Sequence, residues 1–271
     1  MRMNMAKIFW LTALLAACGD DPVATVDAGS ADAGGSDAGP MFDAGDDAGT
    51  LDDAGILAER HIAITIGTLA GAPTVMMPMH DAIAGGGETG ARGAGNVHHE
   101  VFLGTSILGT QVGQFLATDR WTNLEGAHAV YSDPAFVAAF STLFAEPTAP
   151  VLYTRSDWHQ WGDLDAADAS NPRWFAVVRG TLASTDLAAM QAIHDAAAGG
   201  GETMVMAAGD VAHVVFLGAD DPSQFLAIDV WTSDTAIAAV YSDPAFAASL
   251  SGLFAAAPSF GIYESTDWHQ W

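Results

Sequence analysis

The chain has 271 residues, of which 50% are hydrophobic, and its formal net charge is −25 at pH 7. A chain this acidic is repelled by nucleic acid and by anionic lipid surfaces, so we expect no nucleic-acid partner. Its single cysteine, Cys18, excludes an intrachain disulfide bond.

The first residues have the pattern of an export signal. Arg2 and Lys7 give a positively charged start, and a short apolar run over 8–15 follows. This run is too short to span a membrane as a helix. The sequence Leu-Ala-Ala-Cys that ends at Cys18 resembles the lipobox of bacterial lipoproteins, whose cysteine carries the lipid. We therefore predict a lipoprotein signal peptide over 1–18 and a protein anchored in the bacterial cell envelope through Cys18. An ordinary secretory signal with an incidental cysteine is the alternative.

A low-complexity segment follows the signal, over 19–59. The tripeptide Asp-Ala-Gly occurs in it six times, beginning at Asp27, Asp32, Asp37, Asp43, Asp47 and Asp53. Glycine and like charge oppose order, and few residues here could build a core. We predict a disordered linker that tethers the folded part to the membrane.

The remainder of the chain contains the same series of blocks twice, which predicts tandem domains over 60–161 and 173–271, joined by a linker over 162–172. Each copy has about 100 residues, enough to bury a core. The recurring blocks are His-Asp (80–81, 194–195), Gly-Gly-Gly-Glu-Thr (85–89, 199–203), Val-Phe-Leu-Gly (101–104, 215–218), Gln-Phe-Leu-Ala (114–117, 224–227), Val-Tyr-Ser-Asp-Pro-Ala-Phe (130–136, 240–246) and Asp-Trp-His-Gln-Trp (157–161, 267–271).

Hydrophobic runs and glycine positions predict the order strand, helix, strand, strand, helix, strand in each copy. The predicted elements are 61–69, 73–84, 97–104, 114–122, 124–144 and 151–161 in the first copy, and 174–182, 185–198, 210–218, 224–232, 235–255 and 259–271 in the second. We expect the glycine triplets 85–87 and 199–201 to end the first helix of each copy. Pro134 is expected to divide the second helix into two.

This order of elements is the ferredoxin-like split motif, an antiparallel sheet with two helices on one face. The bare face of such a sheet needs a partner, and the second copy supplies one within the same chain. We therefore predict an α+β protein whose two sheets face each other.

Two segments of the first copy resemble a known family. The strand Phe-Leu-Ala-Thr-Asp-Arg-Trp, which ends at Trp121, and the segment Ser-Asp-Pro-Ala-Phe, which ends at Phe136, are similar to those of antibiotic-biosynthesis-monooxygenase (ABM) domains. The resemblance implies a dimeric α/β barrel, here formed within one chain, and a monooxygenase-like activity on a small planar substrate without a cofactor. The family's helix histidine falls on Val130 and Val240, so of its site residues only Trp121 and Trp231 carry over.

A carboxylate recurs on the third strand of each copy, on the same face as a tryptophan. An ionised carboxylate on an apolar face costs free energy unless it is paired or its pKa is raised. A raised pKa suits acid–base chemistry, so we predict that Asp119 and Asp229 are catalytic proton acceptors. The ligand-binding residues predicted around them are Trp121 and Trp231 as platforms, with Tyr131, Tyr241, His80 and His194. The alternative is a structural aspartate that accepts hydrogen bonds from a helix N-terminus or an indole N–H.

Histidines recur at the predicted sheet edges. His99 and His213 lie on second strands, and His159 and His269 on last strands. In ABM-like barrels the last strand of one domain approaches the second strand of the other, which implies the pairs His159–His213 and His269–His99. A metal would need three or four such ligands. Hydrogen bonding between the copies is therefore the favoured interpretation, and no metal or other cofactor is predicted.

Together these features predict an exported, membrane-anchored lipoprotein that presents a tandem ABM-like barrel. The barrel is expected to bind a small hydrophobic or aromatic ligand, or a partner protein of the envelope. The alternatives are a cofactor-independent monooxygenase and a metal site between the copies.

Overall fold

The computed structural model describes residues 60–109, 112–164 and 173–271. The predicted signal peptide and the predicted linker over 19–59 lie outside the described residues, as does most of the linker between the copies. In the part of the chain that is described, no helix is long and apolar enough to cross a membrane.

Each copy contributes four strands and three α-helices. The elements of the first copy are β1 (His61–Thr68), α1 (Pro73–Gly93), β2 (Asn96–Gly104), β3 (Gln114–Trp121), α2 (Leu124–Tyr131), α3 (Pro134–Ser141) and β4 (Val151–Arg155). Those of the second are β5 (Trp174–Thr181), α4 (Leu187–Ala208), β6 (Asp210–Gly218), β7 (Gln224–Trp231), α5 (Asp234–Tyr241), α6 (Pro244–Ser249) and β8 (Ser259–Ser265).

The eight strands form one closed antiparallel barrel in the order β1-β3-β2-β8-β5-β7-β6-β4. Each copy supplies four neighbouring strands, and the two sheets join where β2 pairs with β8 and β4 pairs with β6. Among the eight described strands, closure leaves no free sheet edge. The predicted α+β fold, an intrachain dimeric α/β barrel, is confirmed.

Alternate residues of the strands fill the inside of the barrel. Strands bury every second side chain on one face, and here both sheets contribute large apolar ones to a single cluster. Phe102 of the first copy stacks on Phe175 of the second with ring centroids 4.1 Å apart. Because this interior is packed with side chains, the helix-covered outer face of the sheet is where a ligand can be held.

The prediction that the first helix of each copy ends at its glycine triplet was wrong. α1 continues to Gly93 and α4 to Ala208. The chain turns instead at Gly95 and Gly209, whose φ angles of +102° and +113° favour glycine. Glycine lowers helix stability by about 1 kcal/mol per residue relative to alanine, so it weakens a helix without forbidding one.

Side-chain contacts made just after each triplet offset that weakness. In α1, Glu88 accepts a hydrogen bond from Arg92 at 2.9 Å, one helical turn away, and lies 3.2 Å from His269. In α4, Glu202 lies 3.0 Å from His159. Both histidines come from the other copy, so no local sequence pattern could have revealed these contacts.

The predicted division of the second helix is confirmed. α2 ends at Tyr131, and α3 begins at Pro134, whose ring suits the first helical position. The Asp133 carboxylate caps α3 by accepting N–H groups from Ala135 and Phe136 at 2.7 and 3.1 Å.

The last strand of each copy is shorter than predicted. β4 ends at Arg155 and β8 at Ser265, so the Asp-Trp-His-Gln-Trp blocks are not strands. We call 156–161 the first arm and 266–271 the second arm. In both arms a hydroxyl side chain accepts an N–H two residues further on, which turns the chain away from extended geometry.

Each arm packs against the copy from which it did not come. Trp158 of the first arm contacts Phe225 of the second copy, and Trp268 of the second arm contacts Phe115 of the first, both with ring centroids 5.7 Å apart. Each of these tryptophans is 3% exposed. The exchange of arms ties the two copies together.

Candidate functional site

A cavity of about 580 Å³ lies between the sheet of the second copy and its helices α4, α5 and α6. This volume is typical of small-molecule sites. Its walls are mostly apolar, and Trp161 of the first arm also lines it. The larger apolar side chains of the lining are Val178, Met204, Val205, Phe225, Trp231, Val240, Phe246, Leu250, Leu253 and Phe254.

Four of the ionisable side chains that line the cavity form one hydrogen-bonded cluster. His213 Nδ1 lies 2.5 Å from Asp229 Oδ1, and the Tyr241 hydroxyl donates to Asp229 Oδ2. His213 Nε2 lies 3.1 Å from His194 Nε2. The four residues come from β6, β7, α5 and α4, so only the folded chain assembles them.

The cluster continues to the protein surface. His194 Nδ1 lies 3.0 Å from Asp195 Oδ1, which also accepts the His159 backbone N–H at 2.8 Å. The Asp195 side chain is 34% exposed. Trp161 stacks on the His213 ring, with centroids 4.6 Å apart, and so covers the buried part of the cluster.

The first copy repeats this arrangement. His99 lies 2.7 Å from Asp119 and 3.2 Å from His80, and His80 lies 3.1 Å from Asp81. Trp271 of the second arm stacks on His99 with centroids 4.6 Å apart. Both copies therefore hold a chain of two carboxyl groups and two imidazoles.

At two positions of the cavity lining the second copy has a smaller side chain than the first. Ala197 lines the cavity where the first copy has Ile83, and Leu250 lines it where the first copy has Phe140. In the first copy Phe140 is 9% exposed and stacks on Phe136 at 5.2 Å, while Ile83 packs against the same core cluster. The smaller side chains at both positions enlarge the space beside the sheet of the second copy.

Burial governs the protonation of the cluster. It raises the pKa of Tyr241 well above its ordinary value, and the Asp229 carboxylate acts in the same direction. It lowers the pKa of His194. Burial and the neighbouring Asp229 raise the pKa of Asp210, a further lining residue, to about 9. At neutral pH, Tyr241 and Asp210 therefore keep their protons.

The structure brings the predicted site residues of the second copy together, since Asp229, Trp231, Tyr241 and His194 all line the cavity. Their counterparts in the first copy are Asp119, Trp121, Tyr131 and His80. Asp210 and Asp195 also belong to the site, although neither was predicted as a site residue from the sequence. The recurrence of the His-Asp pair in both copies was the signal that could have indicated Asp195.

The arms do not bring together the histidine pairs that the resemblance implied. His159 contacts Glu202, and it is Trp161 that lies against His213. The second arm makes the same contacts: His269 contacts Glu88, and Trp271 lies against His99. The arms are not strands, so the expected alternation of side chains does not apply. Among the described residues, no group of three or more histidine, cysteine or acidic side chains could hold a metal ion.

A scan against protein-family models and a search of curated proteins both found no match. Solved structures are similar in fold. An anthrone oxidase-like protein has a TM-score of 0.57 at 16% identity, over 79% of this chain and 93% of that chain. A putative monooxygenase from Fusobacterium nucleatum subsp. nucleatum has a TM-score of 0.54 at 7% identity, over 78% of this chain and 94% of that chain. With its closed barrel, the chain therefore has the dimeric α/β-barrel fold of ABM-like proteins.

Proposed function

We propose that the cavity of the second copy binds a small, planar, largely apolar molecule and holds a hydrogen-bond donor of that molecule against Asp229. One observation carries the proposal: a mostly apolar cavity of about 580 Å³ has a buried carboxylate in its wall, itself held by His213 and Tyr241. Buried polar groups of this kind orient a ligand, while apolar walls supply most of its affinity.

The chemistry of the walls narrows the ligand class. Asp229 accepts hydrogen bonds, so the ligand should present an O–H or an acidic C–H group. Capture of a ligand that already carries negative charge is disfavoured, because Asp229 and the acidic chain as a whole would repel it as it approaches. Phenols and reduced polycyclic ketones such as anthrone meet these requirements.

A second candidate function is catalytic. The short contact between His213 and Asp229 suits a base that takes a proton from the ligand, and a solved protein of this fold is named anthrone oxidase-like. In that case Asp229 would remove a proton from anthrone, and O₂ would oxidise the resulting carbanion to anthraquinone, with release of water.

The binding proposal is tested by filling the cavity with the residues of the first copy. We expect Ala197→Ile combined with Leu250→Phe to weaken binding of anthrone and 4-nitrophenol by about tenfold or more, which is about 1.4 kcal/mol. Titration of the quenching of tryptophan fluorescence measures the affinity. The control is Ala247→Val, which also introduces a first-copy residue into α6, at a position that does not line the cavity.

Equal affinities in the filled variant and the control would exclude the cavity as the binding site. Oxygen uptake with anthrone then separates the two functions. For an enzyme, Asp229→Asn should keep the ligand and lose turnover. If the wild type binds anthrone and consumes no oxygen, the protein is a binding module.

We further propose that the protein works in the bacterial envelope, anchored through a lipid on Cys18 and extended from the membrane by the segment 19–59. The lipobox-like tetrapeptide and the Asp-Ala-Gly composition of that segment support this proposal. In that setting the barrel would meet small apolar molecules that partition into membranes.

A further inference from the structure

The hydrogen-bonded chain that begins at Asp229 runs from the cavity to the surface. It passes through His213 and His194 to Asp195, with contacts of 2.5, 3.1 and 3.0 Å. Asp229 is 6% exposed and lines the cavity, whereas the Asp195 side chain is 34% exposed. We propose that these four residues form a proton relay between a ligand in the cavity and the solvent. The inference rests on the proposed function, because it needs a ligand with a dissociable hydrogen at Asp229.

The number of hydrogens supports a relay. His213 and His194 face each other through Nε2 atoms, and that contact needs one hydrogen. Each Nδ1 atom faces a carboxylate oxygen and needs a hydrogen of its own. Two neutral imidazoles carry two hydrogens in total, so the three contacts are complete only when the chain holds one additional proton. The structure therefore has a place for a proton in transit.

The groups around the chain favour transfer toward Asp195. At the cavity end, the Tyr241 hydroxyl donates to Asp229, and neutral Asp210 lies nearby. At the surface end, burial alone would raise the pKa of Asp195, but hydrogen bonds from His194 and from the His159 N–H lower it below its ordinary value. Asp195 therefore stays ionised at neutral pH and passes a proton on to water rather than keeping it.

Other groups near the chain do not interrupt it. Trp161 stacks on His213 and covers it from the side of the first arm. Glu202 of α4 is engaged by the His159 ring at 3.0 Å rather than by His194. No charged group of the arm thus competes for the two imidazoles among the contacts that the structure describes.

The proposed proton transfer neither gains nor loses a proton along the chain. The ligand gives its proton to Asp229, and the Asp229 carboxyl passes a proton to His213 Nδ1. The hydrogen on His213 Nε2 moves to His194 Nε2, and the hydrogen on His194 Nδ1 moves to Asp195, which releases it to water. One proton leaves the ligand and one enters the solvent, and each imidazole exchanges one hydrogen. Reverse passage of a proton restores the original tautomers.

The test follows the ionisation of a bound phenol. 4-Nitrophenol absorbs visible light only as the anion, so a pH jump on its complex with the full chain reports how fast the bound probe exchanges its proton with solvent. We expect Asp195→Asn and His194→Gln to slow this exchange by on the order of 100-fold, the lower end of what a positioned acid–base group contributes. Both replacements retain hydrogen-bonding groups but cannot pass a proton on.

Asp81→Asn is the matched control, because Asp81 holds the same place in the first copy and does not line the cavity. It should leave the rate unchanged. Asp195→Asn and Asp81→Asn should bind the neutral phenol at low pH within about twofold of the wild type, since neither residue lines the cavity. Wild-type exchange rates in Asp195→Asn and His194→Gln with the probe bound would overturn the relay.

Failure of the proposed function gives a different result. If 4-nitrophenol neither quenches fluorescence nor changes its absorption on mixing, the ligand proposal fails. The relay is then judged in the free protein, by NMR of the ring N–H hydrogen that His213 shares with His194. Slower solvent exchange of that hydrogen in Asp195→Asn than in Asp81→Asn supports the relay, and equal exchange overturns it.

Discussion

At Asp210 a carboxyl group stands where the first copy has the amide of Asn96. Asn96 Nδ2 donates to Asp119 at 3.4 Å, and its Oδ1 accepts the indole N–H of Trp271 at 2.8 Å. An ionised carboxylate could not donate in this way, but a protonated one could. Burial and the charge of Asp229 raise the pKa of Asp210 to about 9, so its carboxyl group stays neutral as the amide is, while its Oδ1 accepts the Ala212 N–H at 3.2 Å.

This pKa has a consequence for stability. From about pH 4 to about pH 9, folded Asp210 holds a proton that the unfolded chain releases, so the free energy of unfolding falls as pH rises across this range. We predict that Asp210→Asn raises the free energy of unfolding at pH 8 by at least about 1.4 kcal/mol, the value of one pKa unit, and flattens its pH dependence. Urea denaturation at pH 5 and pH 8 measures both effects.

The reciprocal variant checks the physical reason. Asn96→Asp should introduce the same decline of stability with pH into the first copy. An Asp210→Asn variant with the wild-type pH dependence would mean that Asp210 is ionised in the folded protein.

At the scale of elements, short helices depend on their caps and on packing. α3 has eight residues and α6 has six, lengths at which an isolated helix is unstable in water. Each begins at a proline that follows an aspartate cap, and Asp243 Oδ1 accepts the Ala245 N–H at 2.8 Å. Because Phe246 and Leu250 line the cavity at and just beyond α6, the cap helps to hold one wall in place.

We therefore predict that Asp243→Ala lowers the free energy of unfolding by about 1 kcal/mol and also weakens 4-nitrophenol binding. Asp243→Ser, which keeps a capping oxygen, should restore both quantities. Asp133→Ala in the first copy should cost similar stability and leave binding unchanged. Thermal melts and the fluorescence titration measure these effects, and equal binding losses in Asp243→Ala and Asp133→Ala would refute the link between α6 and the cavity.

At the scale of the whole molecule, neither copy is complete without the other. The sheets join at two short seams, and each arm covers the imidazole pair of the opposite copy. Buried Glu100 of the first copy pairs with Arg173 of the second, whose guanidinium lies 5.7 Å from the centre of the Phe175 ring. The cavity of the second copy thus includes Trp161, a residue of the first.

The exchange of arms predicts that the equivalent tryptophans Trp161 and Trp271 contribute alike to stability but differently to ligand binding. Trp161→Ala and Trp271→Ala should each lower the free energy of unfolding by about 2 kcal/mol, less than for a fully buried tryptophan because both are half-buried. Only Trp161→Ala should weaken binding of 4-nitrophenol. Urea denaturation followed by tryptophan fluorescence and by circular dichroism should show one shared transition. Unfolding in two steps would show that the copies are independent.

Much of this architecture could be predicted from the sequence because it is local. Strand alternation placed all eight strands, and the Asp-Pro pair marked the start of α3. The prediction that the helices end at the glycine triplets was wrong for a physical reason. Contacts of Glu88 and Glu202 with histidines of the other copy stabilise the helices beyond the triplets. The final strands were predicted too long because the arms are rich in aromatic residues, as strands are, but turn at Ser156 and Thr266 and pack against the other copy.

The sequence by itself determined the duplication, the order of elements, the facing of the two sheets and the carboxylates and histidines that recur in each copy, while the barrel was implied by the family resemblance. Only the tertiary structure decided that Asp229, His213 and His194 form one chain, that this chain ends at Asp195, and that the cavity described lies in the second copy. Spacing along a chain records which side chains share a strand or helix face. It does not record distances between elements, or the space that Ala197 and Leu250 leave open when the helices pack on the sheet.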